Sequence, residues 1–103
     1  MNSEKIQQLQ LMEQNSQAFM MQKQQFQQQL VEIESAISEL AKSKQSYKII
    51  GSVMISADPK ELAKALIAKK EETELRIKTI ESQEEKLKEK AKLLRDEVMK
   101  EIK

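Results

Sequence analysis

The sequence has no cysteine, no histidine and no tryptophan, and only one glycine, one proline and three aromatic residues among its 103 positions. Without cysteine there is no disulfide framework and no thiolate metal site. Without histidine, the commonest general base and the commonest metal ligand are both missing. Globular domains average about 7% glycine and 5% proline, so this chain lacks the turn residues that many short elements need. That argues against a sandwich, a barrel closed within one chain, or a βαβ unit with a glycine loop. Net charge is +1, from 18 basic and 17 acidic residues mixed along the chain, so no one-signed field points at nucleic acid. No apolar run is long enough for a transmembrane helix. Met1-Asn2-Ser3-Glu4-Lys5 lacks the basic region and apolar run of a signal peptide. A soluble cytoplasmic protein forming one domain over residues 1–103 is expected. No carboxylate pair has a serine nucleophile, histidine or metal-ligand pattern beside it, so no catalytic residue, metal or cofactor is expected, and the chain does not read as an enzyme.

What is present is the composition of long helices: 34% charged, 39% hydrophobic. Residues 1–45 hold 12 of the 13 glutamines, and residues 58–103 hold twelve acids and thirteen bases. The first segment carries a heptad seam. One row is Leu9, Ser16, Lys23, Leu30, Ile37 and Lys44; the other is Met12, Phe19, Phe26, Ile33, Leu40 and Tyr47. Ser3 and Glu4 fit an N-cap and first turn, predicting a helix over about 3–45. The last segment starts with Asp58 as cap, Pro59 at the first helical position and Glu61 three residues after the cap. Its seam is Ala63, Leu66, Lys70, Thr73, Ile77, Ile80, Glu84, Leu87, Ala91, Leu94 and Val98, predicting a helix over about 59–102. Glu72–Arg76, Glu74–Lys78, Glu84–Lys88 and Asp96–Lys100 are acid-then-base pairs at i,i+4 that support a water-exposed helix. Each helix runs to roughly 43 residues, or about 65 Å at 1.5 Å per residue. Two equal helices joined by a short connector are expected to fold back as an antiparallel coiled coil, bringing both chain ends to one tip.

The connector, about residues 47–57, alternates with period two and is β-branched, which argues for strand. Read straight through, Tyr47, Ile49, Gly51, Val53 and Ile55 face one way; Lys48, Ile50, Ser52, Met54 and Ser56 face the other. Gly51 offers the positive φ of a tight turn, so a β-hairpin turning at Gly51-Ser52 is expected. One continuous strand with Gly51 at a bulge is the alternative. An isolated hairpin is marginal in water, and this one is apolar on both faces with open edges. Tyr47, Ile49, Ile50, Gly51, Val53, Met54 and Ile55 therefore read as an oligomerisation element, adding edge to edge until an intersubunit sheet closes.

Tyr47-Lys48-Ile49-Ile50-Gly51, then Val53-Met54-Ile55, then the stretch Glu74-Leu75-Arg76-Ile77-Lys78-Thr79-Ile80-Glu81-Ser82-Gln83-Glu84 resemble the beta-class subunits of prefoldin. The resemblance covers nearly the whole chain, in the order helix, short β connector, helix. A single hairpin in the connector fits the beta class, whose alpha-class counterparts have a longer linker with two. The resemblance implies a mainly α fold, whose coiled coil is joined by a hairpin that assembles into an intersubunit β-barrel. It implies an α2β4 heterohexamer with an alpha-class subunit and further beta subunits. It implies an ATP-independent holdase that captures unfolded client polypeptides between arm tips and delivers them to a group II chaperonin. No nucleic-acid or membrane partner is implied.

Under that resemblance the tip residues become the client-binding candidates: Ile6, Leu9, Leu11, Met12, Leu93, Leu94, Val98, Met99 and Ile102. Leu9, Met12, Leu94 and Val98 belong to the seam and also read as intra-arm core. Ile6, Leu11, Leu93, Met99 and Ile102 lie off it, where a two-helix arm cannot bury them all. Met20 and Met21 read either as filler beside the core or as client contacts. Ser16, Lys23, Glu84 and Ala91 are poor core residues, predicting weak layers that let the tips fray; the seam charges Lys23, Lys70 and Glu84 also read as snorkelling register or flexibility devices rather than as a site. The function that competes with the holdase is a structural coiled-coil adaptor; an adaptor would keep its tips polar and would not need an apolar hairpin.

Overall fold

Unbroken three-and-four spacing, with no internal glycine or proline, sustains two long helices, and the β-branched connector interrupts them. The computed structural model describes residues 2–102. The order is α1 (Asn2–Lys42), β1 (Ser46–Ile50), β2 (Val53–Ala57) and α2 (Pro59–Ile102). The fold is mainly α, with one antiparallel two-stranded sheet between the helices.

The boundaries follow local chemistry. α1 is already helical at Asn2, so Ser3 lies inside the first turn instead of capping it, while Glu4 there complements the helix dipole. α1 ends at Lys42, earlier than the expected 45. The Ser43 N–H reaches back to the Leu40 carbonyl at 3.3 Å and its hydroxyl donates to the Glu39 carbonyl at 3.0 Å. Serine side chains compete in this way with the helical ladder, and no seam residue beyond Leu40 rewards another turn. Lys44 and Tyr47, which the heptad rows carry past this point, are exposed and outside the helix. At α2, Asp58 caps as expected: its carboxylate accepts from the Lys60 N–H at 3.2 Å, and its carbonyl accepts from the Leu62 N–H at 2.9 Å.

The described residues gather into two compact units, 26–76 and 2–25 with 77–102. In the first, Ile33 is the buried apolar residue, joined by half-buried Phe26, Leu30, Ile37, Leu40 and Leu66. Thr73 is buried too, and its hydroxyl is satisfied by the Lys69 carbonyl at 2.8 Å. The Arg76 guanidinium lies 5.7 Å from the Phe26 ring centre and pairs with Glu72 at 2.8 Å, so one side chain covers the ring and keeps its charge solvated. In the second unit Ile80 and Val98 are buried, with Leu9, Met12, Phe19, Leu87 and Leu94 half-buried around them. No described side chain is completely enclosed. Such a core contributes little stabilisation per residue, which makes the exposed apolar surface the place to look for function.

Candidate functional site: the hairpin and the helix ends

The hairpin turns on Gly51, whose φ is +62°; Ser52 does not share the positive φ. Glycine at the first central position is the pattern of a type II′ turn, whose twist matches that of paired strands. Ile50 pairs with Val53, Ile49 with Met54, Lys48 with Ile55, Tyr47 with Ser56 and Ser46 with Ala57. At the open end the buried Ser46 hydroxyl donates to the Ala57 carbonyl at 2.7 Å, tying the strand mouths together.

This register corrects the straight-through face assignment. Directly opposed residues share a face, so Tyr47, Ile49 and Met54 lie on one side and Ile50, Val53 and Ile55 on the other. A two-residue loop makes odd positions of β1 oppose even positions of β2, which reverses the alternation across the turn. Both faces are still apolar, but with different membership. Tyr47, Ile49, Ile50, Val53, Met54 and Ile55 are between 41% and 68% exposed. Six large apolar side chains in water on a two-stranded sheet is far more than scattered surface exposure.

The second surface lies in the unit formed by residues 2–25 and 77–102. Lys5 sits on the seam one turn before Leu9, and its ammonium bridges Glu101 and, at 3.5 Å, Glu97. Those carboxylates flank the buried Val98. Further along, the Lys23 ammonium donates to Glu84 at 2.8 Å, both side chains half-buried. Glu84 therefore reaches across to α1 instead of pairing with Lys88 on its own helix. The hydrogen bond to Glu101 holds the Lys5 pKa above the ordinary lysine value, and that to Glu84 does the same for Lys23, each against opposing desolvation. The layer expected to be weak is thus tied by an ion pair, and the chain ends are clasped by a second. The seam spacing marks Lys23 and Glu84 as charges that set register or flexibility but not as a pair, and it passes over the Lys5 clasp altogether. The available signal was the Glu97–Glu101 spacing around Val98 and the position of Lys5 on the heptad row.

The tip candidates divide accordingly. Ile6, Leu11, Leu93, Met99 and Ile102 are exposed; Leu9, Met12 and Leu94 are half-buried; Val98 is buried. An open groove of about 740 Å³ runs beside the helices, with Leu9, Met12, Leu87 and Ala91 in its lining, Ile6 and Arg95 also lining it, and the Lys23–Glu84 pair. The small side chains of Ser16 and Ala91 leave the space. The groove brings together Ile6, Leu9 and Met12 and leaves out the other six candidates. Val31, Ile67 and Leu75, in the other unit, are also exposed and were not singled out by the sequence.

No described helix is long and apolar enough to cross a membrane. The chain matches the prefoldin subunit family over residues 3–103. It is 38% identical to the prefoldin beta subunit of Archaeoglobus fulgidus over 87 residues, 82% of this chain and 75% of that one. Against the prefoldin beta subunit of Pyrobaculum neutrophilum it is 36% identical over 89 residues, covering 84% and 71%. Its fold superposes on the crystal structure of the prefoldin beta subunit from Thermococcus strain KS-1 with a TM-score of 0.88 and 28% identity, covering 96% of this chain and 90% of that one. The chain belongs to the prefoldin subunit family, and it is a chaperone subunit rather than an enzyme.

Proposed function

We propose that this chain is the beta-class component of an α2β4 prefoldin, working in the cytoplasm as an ATP-independent holdase that passes unfolded clients to a group II chaperonin. The observation that carries this reading is the hairpin: six exposed apolar side chains on both faces of a two-stranded sheet. Covering Tyr47, Ile49, Ile50, Val53, Met54 and Ile55 requires other chains, and Gly51 sets the turn that aligns them. The exposed Ile6, Leu11, Leu93, Met99 and Ile102 are the proposed client contacts. Leu9, Met12 and Leu94 extend that surface where they are half-exposed, and Val98 joins it only when the ends open. A non-specific apolar surface with flexible thioethers suits partners of no fixed shape.

Native mass measurement with and without an alpha-type prefoldin subunit tests assembly, and suppression of aggregation of a guanidinium-unfolded protein without ATP tests capture. Deleting residues 1–10 and 95–103 should leave the hexamer intact and abolish capture. A monomer in every mixture would defeat the assembly reading. Full capture by the truncated complex would move the client contacts elsewhere.

A further inference from the structure

The chain has six methionines and no cysteine, so its peroxide-reactive sulfur is all thioether. In the unit of residues 2–25 and 77–102, Met20 is 50%, Met21 65% and Met99 63% exposed, whereas Met12 is half-buried in the seam. We infer that Met20 and Met21 along α1 and Met99 near the end of α2 are separate oxidation sites through which hydrogen peroxide sets the holdase activity of the assembled complex. The inference rests on the client surface proposed above, which contains Met99, extends it to the exposed Met20 and Met21 of the same unit, and adds a regulatory chemistry to it.

The step balances without a cofactor. The thioether sulfur attacks one peroxide oxygen and the O–O bond breaks. The sulfur gains an S=O bond and is oxidised by two electrons; the other oxygen leaves as water. The product is a sulfoxide, a strong hydrogen-bond acceptor in place of a soft apolar atom. Its burial against an apolar client strands that acceptor without a donor, an unfavourable exchange. Three such groups in one unit convert a surface suited to unfolded chains into one that water wets. The fold itself is indifferent, because none of the three lies in the Ile80–Val98 core or takes part in the Lys5 and Lys23 pairs. Met54 serves as the internal control. It is 65% exposed in the lone chain but lies on the hairpin face that assembly covers.

The test uses the full chain assembled with an alpha-type prefoldin subunit, exposed to graded hydrogen peroxide and mapped by peptide mass spectrometry. Oxidation should appear first at Met20, Met21 and Met99, last at Met12, and at Met54 only when the chain is treated unassembled. Affinity for guanidinium-unfolded citrate synthase should fall about tenfold with an unchanged hexamer mass and melting temperature, and return after treatment with methionine sulfoxide reductase. A complex carrying Met20→Leu, Met21→Leu and Met99→Leu should capture client before and after peroxide alike. Unchanged capture by the oxidised native complex overturns the inference, as does equal loss in the triple-leucine complex. An untreated native complex that captures no client overturns the client reading itself, and this inference with it.

Discussion

Lys23 and Glu84 meet across the two helices at 2.8 Å, with their side chains 25% and 23% exposed. The contact exists in only one alignment of the helices. A slip by one heptad sets Lys23 against Ile77 or Ala91, leaving an ammonium over apolar neighbours and a carboxylate without its partner. A polar layer of this kind gives up some burial and specifies register.

Lys23→Ala should therefore lower the melting temperature more than the double change Lys23→Leu with Glu84→Leu, because the single change strands a half-buried carboxylate. Thermal unfolding followed by circular dichroism compares them. If the single and double variants melt alike, the pair has no positioning role.

Alkaline pH should loosen the helix-end unit. Lys5 and Lys23 are held above their ordinary value of 10.5 by their glutamate partners. A group whose pKa rises on folding stabilises fully below its unfolded value and loses that contribution as pH climbs through the folded one. The melting-temperature gap between the native chain and a Lys5→Met, Lys23→Met chain should stay level from neutrality to about pH 10 and narrow above it. A gap independent of pH through that range would rule the ion pairs out as its source.

Seam and flank should respond differently. Ile33 is only 7% exposed, so Ile33→Ala should cost about 2 kcal/mol or more. Leu11→Asp, on an exposed position, should leave chemical denaturation unchanged while weakening client capture. Equal destabilisation by both would contradict the burial pattern.

The hairpin has two apolar faces, and each can be charged separately. Ile49→Lys with Met54→Lys alters one; Ile50→Lys with Val53→Lys alters the other. Both doubles should give smaller oligomers with helical signal largely retained, measured by native mass and far-ultraviolet circular dichroism. A pair that leaves the native hexamer mass would show that its face stays in solvent.

Gly51→Ala isolates the turn. An added Cβ would meet nothing within 4 Å, so the cost is conformational and comes from φ at +62°. It should amount to about 1 kcal/mol, and Gly51→Asn should cost less, since asparagine tolerates this region. Assembly measured over a concentration series would register the difference.

The helices and seam were legible because their signal is local and repeated. Every seam position assigned to α2 from Ala63 to Val98 is buried or half-buried, including Lys70, Thr73 and Glu84. Thr73 is tolerated because its own helix supplies an acceptor, which spacing alone does not show. What escaped depends on closure. The hairpin was foreseen but its faces were mixed, because parity flips only once the loop length is known. The pairing of Lys23 with Glu84 needs the offset between helices, which the connector sets. The exposed Ile67 and Leu75 lie outside the seam, where a heptad template expects polar residues. At the helix ends the seam separated the covered residues, Leu9, Met12, Leu94 and Val98, from the exposed ones, Ile6, Leu11, Leu93, Met99 and Ile102; what spacing does not show is which of them share a groove, because that depends on the small side chains of Ser16 and Ala91 across the two helices.

A two-stranded sheet has a valence of two, and its ends are unlike: the free edge of β1 cannot be exchanged for that of β2. Addition through unlike ends has two fates, a ring or an unlimited polymer. The Ser46–Ala57 tie and the Gly51 turn fix the twist that each hairpin adds, and so decide how soon a growing row meets itself. In the α2β4 assembly proposed above, an alpha-class partner with different edge chemistry would act as a terminator. In that assembly the ratio in which the two kinds of subunit are made would become a structural variable: too few terminators would leave this chain with unsatisfied ends.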